Sequence, residues 1–240
     1  MGVAQLNIFR QTLIDPILDF VFPPVCLACN KRIETKNESM CRQCWESITR
    51  VDSLHPTWIE IKSKFDAEGF IKDFSSSFLF EKEGALQHLI HLLKYQGMKS
   101  LGIKLGEEVG RKMLLDEYYA GADYLIPIPL HKLKYRERGY NQSEFICKGI
   151  SNVTQISVNN SIAIRIKYTQ TQTQLNLIER KENIGDAFKI DEKYQYLIQG
   201  KTFIIVDDVI TTGSTINSCA KMLLATGAGC VLAASVALAE

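Results

Sequence analysis

From residue 124 onward, short apolar runs alternate with segments whose apolar positions recur every three or four residues. Tyr124–Ile128, Ser161–Ile166, Thr202–Val206 and Cys230–Leu238 predict strands, and Gln142–Ile156 and Ser214–Leu224 predict helices. Such alternation implies a mostly parallel sheet covered by helices, an α/β fold. Upstream, Ser77–Phe80 reads as a short strand. Leu86, Leu89, Ile90 and Leu93 share one face of a helix that should stop near Gly97, and 101–119 reads as a second helix. At the start of the chain, Leu6, Phe9, Leu13, Ile17 and Phe20 recur at helical spacing, which predicts an amphipathic helix over 1–22. Asp15-Pro16 can restart it, and Pro23-Pro24 ends it. Residues 51–75 show no clear period and read as a connector, while Leu175–Phe188 is charged and reads as helical or mobile.

Composition narrows the class. The 240 residues are 46% hydrophobic and 23% charged, with a net charge of +1. That suits a globular protein of one ordinary domain plus a small module, and leaves nucleic-acid binding to a local patch. No stretch reaches the roughly 18 apolar residues a membrane span needs. The first 22 residues lack the basic start and small-residue cleavage site of an export signal, so the cytoplasm is the expected compartment.

Four of the seven cysteines crowd into one place. Cys26-x2-Cys29 and Cys41-x2-Cys44 offer two thiolate pairs at the spacing of a tetrahedral zinc shell. Four thiolates leave no open position, so this zinc would be structural. A redox pair is the rival reading, but matched pairs this close are not the usual redox arrangement. Cys147, Cys219 and Cys230 lie in apolar or helical context and read as small buried hydrophobes.

The strand at Thr202–Val206 runs into Asp207-Asp208, then Val209-Ile210 and Thr211-Thr212-Gly213-Ser214-Thr215. Two carboxylates at a strand end followed by a hydroxyl-rich turn and a helix make an anion site beside a pair of diol acceptors. Gly213 permits the turn. This run resembles the phosphoribosyl-pyrophosphate motif of type I phosphoribosyltransferases. A Walker-B-like strand end is the alternative, but no G-x-x-x-x-G-K-[ST] occurs in the chain.

A second charged feature follows the strand at 124–128. Pro127-Ile128-Pro129-Leu130-His131-Lys132 leads into Lys134, Arg136 and Arg138 with one acid, Glu137, a net +3 over 131–138. Such a loop can hold a pyrophosphate, track a nucleic-acid backbone, or simply be solvated. Lys94 could approach a ligand or serve the C-terminal end of its helix.

The order of motifs is similar to that of the ComF family of competence-associated proteins. It comprises the cysteine quartet, Leu93-Lys94-Tyr95-x-Gly97, Pro127–His131, Arg136-x-Arg138-Gly139-Tyr140-Asn141-Gln142, Thr173-Gln174, Arg180-x-x-Asn183 and the diacid run. The resemblance spans nearly the whole chain. It implies a type I phosphoribosyltransferase-like parallel sheet flanked by helices over 76–240, behind a zinc module at 23–50 and a connector at 51–75. It implies binding of 5-phosphoribosyl-1-pyrophosphate with Mg²⁺, in which Asp207 and Asp208 hold the ribose. Thr211, Thr212, Gly213, Ser214 and Thr215 would take the 5′-phosphate. Leu130, His131 and Lys132 would form the pyrophosphate loop, joined by Arg136 and Arg138. A flap from about Thr169 to Ala187 would bring in Gln174 and Arg180, and Thr173 departs from the proline common in relatives. The family also implies a place in DNA uptake and natural transformation, with single-stranded DNA and other DNA-uptake proteins as partners. Either pentosyl transfer or a non-catalytic DNA-handling or sensing role is compatible with these motifs.

Overall fold

A computed structural model describes residues 23–33, 38–167 and 187–239. The helix expected over 1–22, and the flap with Gln174 and Arg180, lie outside the described residues. The chain divides into two compact units after Ile48.

In the first unit, Val25 bridges Arg32, and the Cys26 amide donates to the Lys31 carbonyl at 2.7 Å. Asn30 completes this turn at φ 58°, a left-handed position that asparagine tolerates better than most residues. Helix α1 (Arg42–Glu46) carries Cys44, with Cys41 at its N-cap. Cys26, Ile33, Met40 and Ile48 are the buried hydrophobic side chains described here.

The second unit is a five-stranded sheet in the order β1-β7-β6-β2-β3, every neighbouring pair parallel. Its strands are β1 (Phe74–Phe80), β2 (Tyr124–Pro127), β3 (Ser157–Val158), β6 (Thr202–Ile210) and β7 (Cys230–Ala239). The central strands are near-continuous apolar runs because helices cover both faces. On one face, Phe203 and Ile205 of β6 and Val231 and Ala233 of β7 pack with Ile61, Phe65, Ile216, Cys219 and Leu223. Those partners come from α2 (Pro56–Glu68) and α7 (Ser214–Ala225). On the other face lie α4 (Lys99–Met113) and α6 (Gln142–Thr154). Helix α3 (Ala85–Tyr95) precedes α4. An antiparallel ribbon of β4 (Ala163–Arg165) and β5 (Phe188–Ile190) lies beside α7.

Helices α4 and α6 meet backbone to backbone. A Cβ on Gly106 would stand 2.1 Å from the Ile146 carbonyl oxygen, and one on Gly149 would stand 2.0 Å from that of Ile103. Only hydrogen fits at either crossing point.

Three expectations change. The stretch 51–75 is no aperiodic connector: it contains α2, capped by His55 and Gly69, with Pro56 in its first turn. Its buried residues, Thr57, Ile61 and Phe65, stand four apart, and exposed charged residues dilute the signal. The basic stretch after β2 is not a loop but helix α5 (Lys132–Arg138), with His131 as N-cap and Gly139 as its left-handed C-cap. The strand expected to end at Val206 continues to Ile210, so both aspartates lie within β6.

Candidate sugar-phosphate site

Consecutive strand residues face opposite sides of a sheet, so Asp207 and Asp208 draw on different neighbours. Asp208 forms an ion pair through Oδ2 with the Lys94 ammonium from the last turn of α3, and Gln142 Nε2 donates to its Oδ1 at 3.4 Å. Gln142 in turn accepts from Arg138 Nη1 at 2.8 Å, which links α5 to the acid through one side-chain amide. Asp207 Oδ1 accepts the amide of Asp208 at 2.8 Å and the Ser143 hydroxyl at 3.4 Å, and it interacts electrostatically with Arg165 of the ribbon.

Burial and the neighbouring Asp208 carboxylate push Asp207 up to about 8. Asp208 goes the other way: burial opposes its charge, but the Lys94 ammonium and hydrogen bonds from Lys94, Asp207 and Gln142 hold it below the usual carboxylate range. Burial also works against the Lys94 charge, yet Asp208 keeps its pKa raised. Lys134 is depressed by burial and by the positive charges of Arg138, Arg165 and Lys94. Cations from three elements, Lys94 of α3, Arg138 of α5 and Arg165 of β4, therefore act on the two aspartates directly or through Gln142, with Lys134 of α5 beside them.

The helical geometry of α5 sorts the basic stretch into two faces. Lys134 and Arg138, four residues apart, are half-buried toward the acids, whereas Lys132 and Arg136 are exposed on the far side.

Downstream of the acids, the turn at Thr211–Gly213 delivers the chain into α7, whose N-terminus has no side-chain cap. Gly213 sits at φ 74°, and a Cβ there would meet Phe65 Cε1 at 2.6 Å. Both conformation and space require glycine. Asp207, Val209, Ile210 and residues 211–216 line one small open cavity of about 40 Å³. Thr211 and Thr212 are exposed, Ser214 and Thr215 half-buried, and Ser214 Oγ is 3.0 Å from Thr212 Oγ1.

In the first unit, the Sγ atoms of Cys26, Cys29, Cys41 and Cys44 all lie within 4.8 Å of one another, and none is in a disulfide. Zinc–sulfur bonds of about 2.3 Å require sulfurs roughly this close, so the four-thiolate set fits a structural zinc ion. Burial opposes ionisation of Cys26, but amides of Cys41, Cys29 and Ala28 bring it down to about 6, whereas burial and the three neighbouring cysteines push Cys44 up.

Comparison with known proteins finds one matched domain near the start of the chain and another in its second half. Residues 17–55 match a double zinc ribbon domain and residues 155–239 a phosphoribosyl transferase domain. The DNA utilization protein YhgH of Escherichia coli (strain K12) is 27% identical over 221 residues, 86% of this chain and 87% of that protein. Competence protein F of Haemophilus influenzae is 36% identical over 102 residues, 41% of this chain and 43% of its own. Competence protein ComFC of Bacillus subtilis is 25% identical over 210 residues, 85% of this chain and 67% of that one. The chain belongs to the ComF family.

Of the residues singled out from sequence in this ComF-family chain, the fold brings together Asp207, Thr211, Thr212, Gly213, Ser214 and Thr215 around one cavity, while Asp208 is buried next to them against Lys94 and Gln142. Arg138 joins the acids through Gln142. Leu130 and His131 are half-buried, with His131 Nδ1 capping α5 by accepting from the Leu133 amide at 3.3 Å. Lys94, undecided from sequence, is at the centre. Arg165, Gln142 and Ser143 were not picked out as site residues. Gln142 stood inside a quoted motif, but Arg165 lies in a short alternating strand with no local mark of function. Among the described residues, no helix is long and apolar enough to cross a membrane.

Proposed function

We propose that this chain binds 5-phosphoribosyl-1-pyrophosphate and transfers its pentosyl group to a nitrogen acceptor. Thr211–Thr215 and the start of α7 take the 5′-phosphate. Asp207 and Asp208 accept hydrogen bonds from the ribose hydroxyls, and the basic residues around them take the pyrophosphate. In the reaction the bond from the anomeric carbon to pyrophosphate breaks, a carbon–nitrogen bond forms, and the acceptor nitrogen gives up its proton. The protein's task is to position the reactants and neutralise the departing charge. The observation that carries this reading is the shared cavity in which a strand-borne acid adjoins a hydroxyl-rich turn at a helix start. Asp208 is already balanced by Lys94, so the acids offer no open carboxylate pair; Mg²⁺ would arrive with the ligand and help neutralise its pyrophosphate. Calorimetry with 5-phosphoribosyl-1-pyrophosphate and Mg²⁺ tests the reading. Wild type should bind, and Asp208→Asn should weaken binding about tenfold or more, the value of one charge-assisted hydrogen bond. Pyrophosphate release with a panel of bases then tests transfer. Absence of binding by the wild type would remove the proposal.

A second reading, DNA handling, draws on the outer face of α5, where Leu133 and Tyr135 are 52% and 47% exposed between Lys132 and Arg136. A flat aromatic beside cations suits stacking on single-stranded bases. Lys132→Gln with Arg136→Gln should then weaken single-stranded DNA and flatten its salt dependence by about two counterions.

A further inference from the structure

The Lys94 ammonium and a ribose diol have a claim on the same carboxylate. Asp208 is nearly sealed, its side chain 6% exposed, while Lys94 retains 25% and reaches it on a flexible four-carbon stem. The other Asp208 oxygen is taken by Gln142, which is held by Arg138. Each oxygen is thus already partnered on a side chain with little exposure, so a diol reaching Asp208 would meet the ammonium, the amide or both.

The surroundings show where the ammonium could go. Lys94, Lys134, Arg138 and Arg165 act on one another, and the carboxylates acting on them are Asp208, Asp207 and Glu137. With Asp207 pushed up to about 8, two of those three acids carry charge near neutrality, against four cations. An anion of two or more charges would relieve that excess; a monoester phosphate has its own cradle at Thr211–Thr215.

We propose that Lys94 is a gate on Asp208 which a polyphosphate opens. The ammonium leaves the carboxylate for the incoming anion, Arg138 and Gln142 yield with it, and the sugar hydroxyls then occupy Asp208. This rests on the sugar-phosphate reading above and adds an order to it: the two ends of the ligand bind cooperatively. The site discriminates against molecules carrying only one end. If Lys94 is instead a permanent structural partner of Asp208, the two ends bind independently.

The experiment uses the full, zinc-loaded chain. Ribose 5-phosphate is titrated by calorimetry at constant free Mg²⁺, with and without saturating inorganic pyrophosphate, and the reciprocal titration is run. In the wild type each ligand should raise the affinity of the other about tenfold, within the usual range of coupling between sites. In Lys94→Met the coupling should fall to within about twofold of none, because the gate is gone. Arg138→Gln, which leaves Lys94 in place, should reduce it partially and serves if Lys94→Met does not fold. Equal or lower affinity for ribose 5-phosphate in the presence of pyrophosphate overturns the gate while leaving sugar-phosphate binding intact. Undiminished coupling in Lys94→Met also overturns it. Failure of both ligands to bind the wild type removes the gate and the binding reading together.

Discussion

In the four-cysteine unit the buried apolar side chains described are Ile33, Met40 and Ile48, besides Cys26. The sheet unit buries whole faces of β1, β2, β6 and β7 beneath helices, and brings α4 and α6 so close that only glycine fits between them. Both units are ordered, but by different physics. A stretch of some two dozen residues cannot bury enough surface to offset its own chain entropy, whereas a domain-sized sheet can. The small unit compensates by converging four thiolates; the large one relies on close packing. It also tolerates buried charge in the polar cluster at the end of β6, where Asp208 is paired with Lys94.

Three measurements probe that contrast, from the largest effect to the smallest. Removal of zinc should cost the small unit about 10 kcal/mol or more and unfold it, leaving the sheet unit's melting unchanged. The chain has two tryptophans, Trp45 in the small unit and Trp58 in the large. In a Trp58→Phe background, chelation should therefore shift Trp45 fluorescence, and metal analysis should find about one zinc per chain. An unmoved Trp45 in metal-free protein would show that the small unit is held by packing after all.

Next, Gly149→Ala should destabilise the sheet unit by about 3 kcal/mol, because the added methyl meets a carbonyl oxygen that cannot swing aside. Urea denaturation reads this directly; a cost under about 1 kcal/mol would mean the helices slide apart freely, and the contrast with the metal-held unit would blur.

The smallest effect is at the buried acids. Asp207 titrates higher in the folded chain than in the unfolded one, so the native state holds the extra proton between the two values. Stability from this group is complete in acid and is lost as pH rises through about 8. Asp208, depressed by Lys94, contributes in the opposite sense and loses its share as pH falls. Asp207→Asn should consequently be more stable than wild type at pH 8 by about 1 kcal/mol, with the advantage shrinking toward pH 5. A pH-independent difference would place Asp207 in a better solvated setting.

What could be read from the residues follows the same division. The cysteine quartet is legible because each Cys-x2-Cys turn aims two sulfurs at one centre, a local pattern that survives in the sequence. Strands β6 and β7 are legible because both faces are covered, leaving unbroken apolar runs. Only part of β1 was seen, since Ser75, Ser76 and Ser77 are buried hydroxyls in a strand; Ser76 and Ser235 meet at 3.0 Å across the sheet. Helix α5 was hidden between prolines and a glycine that suggest a loop. Lys134 and Arg138 point inward and Lys132 and Arg136 outward, a distinction that exists only once the stretch is helical and docked. Arg165 reaches Asp207 from a strand more than forty positions earlier, a relation no local pattern carries.

The placement of β7 sets a timetable for assembly. Phe74 of β1 pairs with Ala233 of β7, and β7 also separates β1 from β6. On a ribosome adding about 5–20 residues each second, β1 emerges and waits on the order of ten seconds for the strand that will lie beside it. During that interval Phe74, Phe78 and Leu79 have no sheet to enter. The small metal-held unit can be complete long before, so a nascent chain would carry a finished head and an open, adhesive body, the period in which a chaperone has most to offer.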